Sequence, residues 1–380
     1  MKKLVFAVLF LLFTLQVLAQ DLPPGDKPAA TVFSKVKEAG TKDDFPDADY
    51  VIVEDSSICR VNEKGIAYTD MYVVYKALTD GGCKQLAVQR WHYEPLSSFV
   101  EVKEVNVIRG DEKIPVDLGG LRDLPAPQSG IYWGDRILLL QLPRLEENDG
   151  IEIRAKRKGY SYALLDDDKY IPPMEGQYFD IVVFSAAVPI KSKKYVLKMP
   201  VNKRIHSRIY NGPMYSSISY GEDETTYGWW SEDVPAQADE YYGAEATDVY
   251  PKVVIATVES WEAKSKWFFD VNEGQFKFTD AIKAKVKEIF EQAGVTGGTE
   301  EEKAFALVHW VAQNIRYSGQ TMGEGEGYTL HSGAMIFEQR SGVCKDIAGM
   351  LITMMRAAGM DSYGAMTMAG SRIEEEVPAD

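Results

Sequence analysis

Cysteine and histidine are scarce in this 380-residue sequence, which has three of the first and four of the second. Cys59, Cys83 and Cys344 are too few for the disulfide framework that staples small secreted domains. His92, His206, His309 and His331 lie far apart and show no H-x-x-x-H spacing, so no metal site is expected. Basic residues are also outnumbered, 42 Lys and Arg against 57 Asp and Glu, and no basic cluster is interleaved with aromatics. The net field therefore repels phosphate, which excludes nucleic acid as a partner. No cofactor is expected either. The one glycine-rich run, "GEGEG" at 323–327, follows no strand, and Glu324 and Glu326 would repel a bound phosphate. "DDD" at 166–168 reads as a solvated acidic turn rather than a calcium loop.

Long apolar runs are absent but for one. Lys2 and Lys3 precede "LVFAVLFLLFTLQVLA", and Val17 and Ala19 stand where a signal peptidase cuts. Residues 1–19 are therefore read as a signal peptide, cleaved before Gln20, and the protein as exported, periplasmic or extracellular. The run is short for a membrane-crossing helix, and Asp21, Pro23 and Pro24 follow at once, so no membrane span is expected after cleavage. Loss of the two lysines leaves 40 basic against 57 acidic residues, a formal charge of about −17 that serves solubility.

Residues 20–48 are polar, rich in Pro, Lys and Asp, and read as a flexible leader. From 49 to 230 short alternating runs separated by Gly, Pro and Asp turns predict an all-β domain, an antiparallel sandwich or open barrel, whose aromatics are core and strand formers. "YVIVEDSSIC", "IAYTDMYVVYKA" and "KQLAVQRWHY" read as three meander strands with turns at "VNEKG" and "TDGG". That places Cys59 and Cys83 at opposite ends of their strands, about 30 Å apart, beyond disulfide reach. Residues 231–258 are acidic and turn-rich and read as a connector.

Helical spacing begins at 259. Ser260 and Thr279 are expected to cap helices, the second with Ile282, Val286, Ile289, Phe290 and Ala293 as its apolar stripe before Gly294. Thr299 and Glu302 have the capping-box spacing, and Phe305, Val308, Ala312 and Ile315 form the predicted inner face of the helix they open. In "QRSGVCKDIAGMLITMMRAAGM", Gly342 reads as a tight turn and Cys344 as the first turn of a largely buried helix. Free amide N–H groups and the helix dipole at that end favour thiolate over thiol. Cys344 is thus the candidate nucleophile. Lys345 adds positive charge nearby, Asp346 is expected to bond amides of the first turn, His331 to shape or pack the same pocket, and His309 to be a partly buried structural residue.

Trp310, Asn314, Arg316 and Tyr317 followed by the G-x-C-x-D turn of Gly342, Cys344 and Asp346 occur in the order that marks the transglutaminase-like superfamily of secreted bacterial proteins, which residues 259–370 resemble. The β-rich region upstream resembles the domain of unknown function that often precedes it. The resemblance implies an α+β, papain-like C-terminal domain over 259–380 in which a Cys-His-Asp set transfers acyl groups from amide bonds of a protein or peptide substrate. In the family the histidine follows the cysteine; this sequence has none after Cys344. The chain is therefore expected to be truncated before the catalytic histidine and inactive as it stands. A non-enzymatic module that binds a glycan, protein or cell-envelope partner, with a vestigial cysteine, is the alternative.

Overall fold

A computed structural model describes residues 31–95, 97–127, 131–132, 134–159, 174, 176–237, 243–244, 246–320, 329–367 and 374–378. The expected signal peptide, the first part of the expected leader, the acidic turn at 166–168 and the glycine run at 323–327 lie outside them.

The β-rich part contains β1 (Tyr50–Val61), β2 (Ala67–Ala77), β3 (Val88–Tyr93), β4 (Ser98–Arg109), β5 (Glu112–Pro115), β6 (Arg122–Pro125), β7 (Ile131–Tyr132), β8 (Arg136–Gln141) and β9 (Gly150–Gly159). It continues with β10 (Phe179–Val183), β11 (Ile190–Pro200), β12 (His206–Tyr210), β13 (Tyr215–Tyr220), β14 (Glu224–Val234) and β15 (Lys252–Ala256). Eight strands form one sheet in the order β13-β14-β11-β1-β2-β9-β4-β5. Two three-stranded sheets, β10-β15-β12 and β3-β8-β6, pack against it. The expectation of a β-rich, sandwich-like domain is met, with one difference: β1 and β11 run parallel, so the large sheet is mixed.

Each small sheet closes its own core. Leu140, Ile151, Val105 and Leu86 meet on one side, and Phe184, Leu197, Trp229, Val253 and Ile255 on the other. Side chains as fully buried as Phe184 and Ile255 each stabilise the fold by about 1.5–3 kcal/mol through transfer from water.

Three expectations are corrected here. Residues 31–48 are not a loose leader. Thr31 caps α1 (Val32–Glu38), its Oγ1 accepting the Ser34 N–H at 3.2 Å. Val36, Ala39 and Ala48 are buried against Val51, Val74 and Ile108, and Lys35 pairs with Glu54. Next, β3 does not continue the meander. Thr79 caps α2 (Asp80–Leu86) where a tight turn was expected, and β3 leaves to pair with β8 while β9 takes the place beside β2. Cys83 therefore lies in a helix within one core while Cys59 is buried in the other. Third, the stretch 231–258 is not simply a connector: β14 runs to Val234, and all five residues of β15 are buried at the centre of the small sheet.

α3 (Ala246–Val249) precedes β15; the helical part holds α4 (Trp261–Asn272), α5 (Asp280–Gln292), α6 (Glu300–Asn314), α7 (Gly333–Gln339) and α8 (Cys344–Ala357), with β16 (Arg316–Tyr317), β17 (Gly319–Gln320) and β18 (Ser341–Gly342) between them. The predicted caps form: Ser260 accepts from Ala263, Thr279 from Ile282, and Thr299 and Glu302 bond each other's backbone N–H at 2.8 and 3.2 Å. The stripe of α5 buries Ile282, Val286 and Ile289 against Leu307, Val311, Ile315, Ile336, Met350 and Met354. The predicted face of α6 is rotated, because Leu307 and Val311 turn inward while Phe305 and Val308 are 61% and 42% exposed.

Beyond α8 the chain returns to the β-rich part. Val377 is buried with Val254 and Ala256, the Tyr210 hydroxyl donates to Glu376 at 2.9 Å, and the Trp261 indole N–H donates to the Glu375 carbonyl at 2.7 Å. Buried Lys252 pairs with Glu374 at 2.7 Å.

Candidate functional site

Cys344 is the first residue of α8 and is exposed, whereas Val343 before it and Asp346 after it are buried. An exposed side chain at a helix start stands beside backbone N–H groups that have no partner within the helix. Ala348, one turn on, is exposed too, while Gly349, Met350, Ile352, Thr353 and Met354 face the core. One edge of this core helix thus carries the thiol into the open.

Asp346 fixes the turn. Its Oδ2 accepts the Val343 N–H at 3.1 Å, and its Oδ1 accepts the His331 main-chain N–H at 3.1 Å. The imidazole Nδ1 of His331 lies 3.2 Å from the same oxygen. Burial pushes the Asp346 carboxyl up, but the His331 ring, the two N–H donors and the charge of His331 together hold it below the ordinary range. Asp346 therefore binds the residue before the helix and the preceding loop. The Lys345 ammonium reinforces the second link by donating to the Thr329 carbonyl at 2.8 Å. Gly342 has another reason than the turn expected of it. Its φ is not in the left-handed region, but a Cβ there would come within 2.6 Å of the Asp346 Cβ.

The upstream motif is assembled around the same turn. Trp310 stacks on Phe337 with centroids 6.0 Å apart, and the Arg340 guanidinium lies 4.1 Å from the Phe337 ring and 4.7 Å from Trp310. Arg340 closes α7 in the left-handed conformation, φ 56°, and its carbonyl accepts the Arg316 N–H at 2.8 Å. Asn314 donates to the Trp310 carbonyl, and Ile315 is buried in the helical core. The parallel pairing of β16 with β18 sets Tyr317 beside Gly342.

From there the Tyr317 phenol reaches Cys344. Burial, then the charge and hydrogen bond of the Cys344 sulfur, raise its pKa, and a hydrogen bond from the Cys344 backbone N–H offsets part of the rise. Sequence reading placed Tyr317 in the motif but not on the thiol; only the β16–β18 pairing reveals that contact.

Of the expected site residues, Cys344, Asp346, His331 and Lys345 come together. His309 does not: it is exposed on α6 rather than partly buried. His92 lies in β3 and His206 in β12, both exposed and both in the β-rich part. Among the described residues no three His, Cys, Asp or Glu side chains are grouped to hold a metal ion. No described helix is long and apolar enough to cross a membrane.

Comparison with known proteins gives two family matches. The sequence model of a domain of unknown function, DUF3857, matches residues 65–238, and that of the transglutaminase-like superfamily matches residues 288–368. No curated protein matches. A crystal structure from Parabacteroides distasonis, provisionally named a protease, superposes with a TM-score of 0.63 at 15% identity over 82% of this chain and 59% of that one. The likeness is one of fold, and the chain spans 59% of that protein's length. An M1 zinc metallopeptidase from Deinococcus radiodurans covers 55% of this chain and 42% of its own at 12% identity, but its TM-score of 0.29 carries no argument. The two matches stand in sequence order, a DUF3857-like region first and then a transglutaminase-like region that includes the thiol at the start of α8.

Proposed function

We propose that Cys344 is the nucleophile of an exported thiol acyl-transfer enzyme that acts on amide bonds of a protein or peptide. The observation that carries this reading is the exposed thiol at the head of an otherwise buried helix, with Tyr317 set beside Gly342 by strand pairing and Asp346 locking the turn. In the proposed step the sulfur attacks the amide carbonyl carbon and the carbonyl electrons move onto oxygen. In this reading the Tyr317 hydroxyl, itself held by the Cys344 N–H, is the donor offered to that oxygen. Collapse of the intermediate expels the amine, which takes up a proton, and leaves a thioester that water or a second amine resolves.

No histidine occurs in residues 345–380. His331 is the one histidine at the site among the described residues. Held by Asp346 through Nδ1, it is assigned as a positioning residue. Glycan binding by the β-rich domain gains no support from the comparisons.

Iodoacetamide labelling of the native protein across pH tests the reading. Cys344 is expected to react faster than free cysteine near neutral pH, and a Tyr317→Phe change should alter that rate. A rate no higher than that of free cysteine would sink it.

A further inference from the structure

The β-rich part contains a cleft that the Cys344 site does not use. A cavity of about 420 Å³ lies between β10 and the β1–β11 pair, with Asp55, Ser57, Asp180, Ser185, Lys193 and Tyr195 among its lining. A β-bulge at Ile52–Glu54 helps to aim these groups. Before it Val51 and Val53 pack with α1; beyond it Glu54 stays with α1, while Asp55, Ser57 and Cys59 turn toward the small sheet.

The polar groups of the cleft are unevenly satisfied. Lys193 is paired with Asp55 at 2.6 Å. The Asp180 Oδ2 accepts the hydroxyls of Tyr178 and Tyr195, both at 2.9 Å, and those hydroxyls are 2.7 Å from each other. Cys59 Sγ stands behind them, 3.6 Å from Tyr178. Among the described residues no lysine or arginine pairs with Asp180. Burial raises its carboxyl above the ordinary range, and the two tyrosine hydroxyls oppose that rise. The Ser185 Oγ is sealed from solvent and has no hydrogen-bond partner among the described residues. A partly exposed carboxylate without a counter-cation and a buried hydroxyl without a partner thus line one cavity.

We propose that this cleft binds a primary alkylammonium group. An ammonium has three N–H donors and no acceptor, which suits Asp180 with the Ser185 and Ser57 hydroxyls. Val182, on the same face of β10 as Asp180, offers an apolar surface to the methylene chain. A metal ion fits poorly, because no three metal-ligating side chains converge among the described residues and the tyrosines point their protons at Asp180. An anion would meet Lys193 only as an ammonium already neutralised by Asp55, and otherwise Lys194, whose side chain is exposed. This inference does not depend on Cys344.

Calorimetric titration of the full chain with 1,5-diaminopentane tests it, with sodium pentanoate and 1-pentanol as the anionic and neutral comparisons. The diamine should bind saturably, Asp180→Asn should weaken it by about thirtyfold or more, and Ser185→Ala by several-fold. A blocked tripeptide with a central lysine, run in parallel, tells a free amine from a protein side chain by which binds tighter. If Asp180→Asn fails to fold, Ser185→Ala and the contrast between the three five-carbon probes still decide the matter. No saturable diamine binding up to about 10 mM, equal binding of pentanoate, or unchanged binding in the folded variants would overturn the proposal.

Discussion

Asp346 and His331 are joined twice, because one carboxylate oxygen receives the His331 main-chain N–H at 3.1 Å and lies 3.2 Å from its ring Nδ1. The other oxygen holds the Val343 N–H. Asp346→Ala leaves these donors without an acceptor and should destabilise the helical domain by about 2–4 kcal/mol in urea unfolding. Asp346→Asn, which keeps one acceptor oxygen, should fall between.

The same carboxylate makes stability depend on acid. Its pKa is lower in the folded chain than the ordinary value of about 3.9, so its contribution is complete above that value and is lost as pH falls through the lower folded one. Between pH 6 and pH 3 the wild type should therefore lose more stability than Asp346→Asn, a difference read from urea midpoints. Parallel losses would show that Asp346 is not held as described.

The three cysteines should part company under alkylation. Cys344 is exposed, while Cys59 and Cys83 are 1% and 7% exposed, with burial first among the causes that raise their pKa values. Mass spectrometry should find iodoacetamide on Cys344 alone in the native state and on all three after unfolding.

Gly342→Ala places a methyl 2.6 Å from the Asp346 Cβ, between backbone-anchored atoms that have little room to yield. A loss of about 1–3 kcal/mol in thermal or urea unfolding is expected. Gly297→Ala, with nothing within 4 Å, should stay within about 0.5 kcal/mol and serves as the control.

Glu374 and Lys252 give the fourth contrast between variants. Lys252 is 1% exposed, so Glu374→Ala strands a buried ammonium and should cost about 3–5 kcal/mol. Glu374→Leu combined with Lys252→Met removes both charges and should cost less than the single change. The comparison is made by urea unfolding of each variant.

What could be read in the sequence was local. Ser260, Thr279 and the Thr299–Glu302 pair announced helix starts because a cap is built from residues three apart. Cys344 was legible for the same reason, being two residues after a glycine and at the head of an apolar period. Strand alternation identified β1, β2 and β4 but not their partners, so β3 was assigned to a meander it leaves. Thr31 and Thr79 capped short helices inside stretches whose composition spoke for loops. On α6 two apolar faces were available, and only packing selects Leu307 and Val311 over Phe305 and Val308. Tyr317 beside Cys344, 27 residues apart, depends on strand pairing, and Asp180 on Tyr195, 15 residues apart, on the packing of two sheets, neither of which a spacing rule encodes.

β10 has two occupied sides. Phe179 and Ile181 pack with Val377, the tail that returns from the Cys344 domain, while Asp180 between them bonds Tyr178 and Tyr195 toward the cleft. One short strand is therefore a shared wall: whatever shifts it from the cleft side also moves the seat of the segment that follows α8.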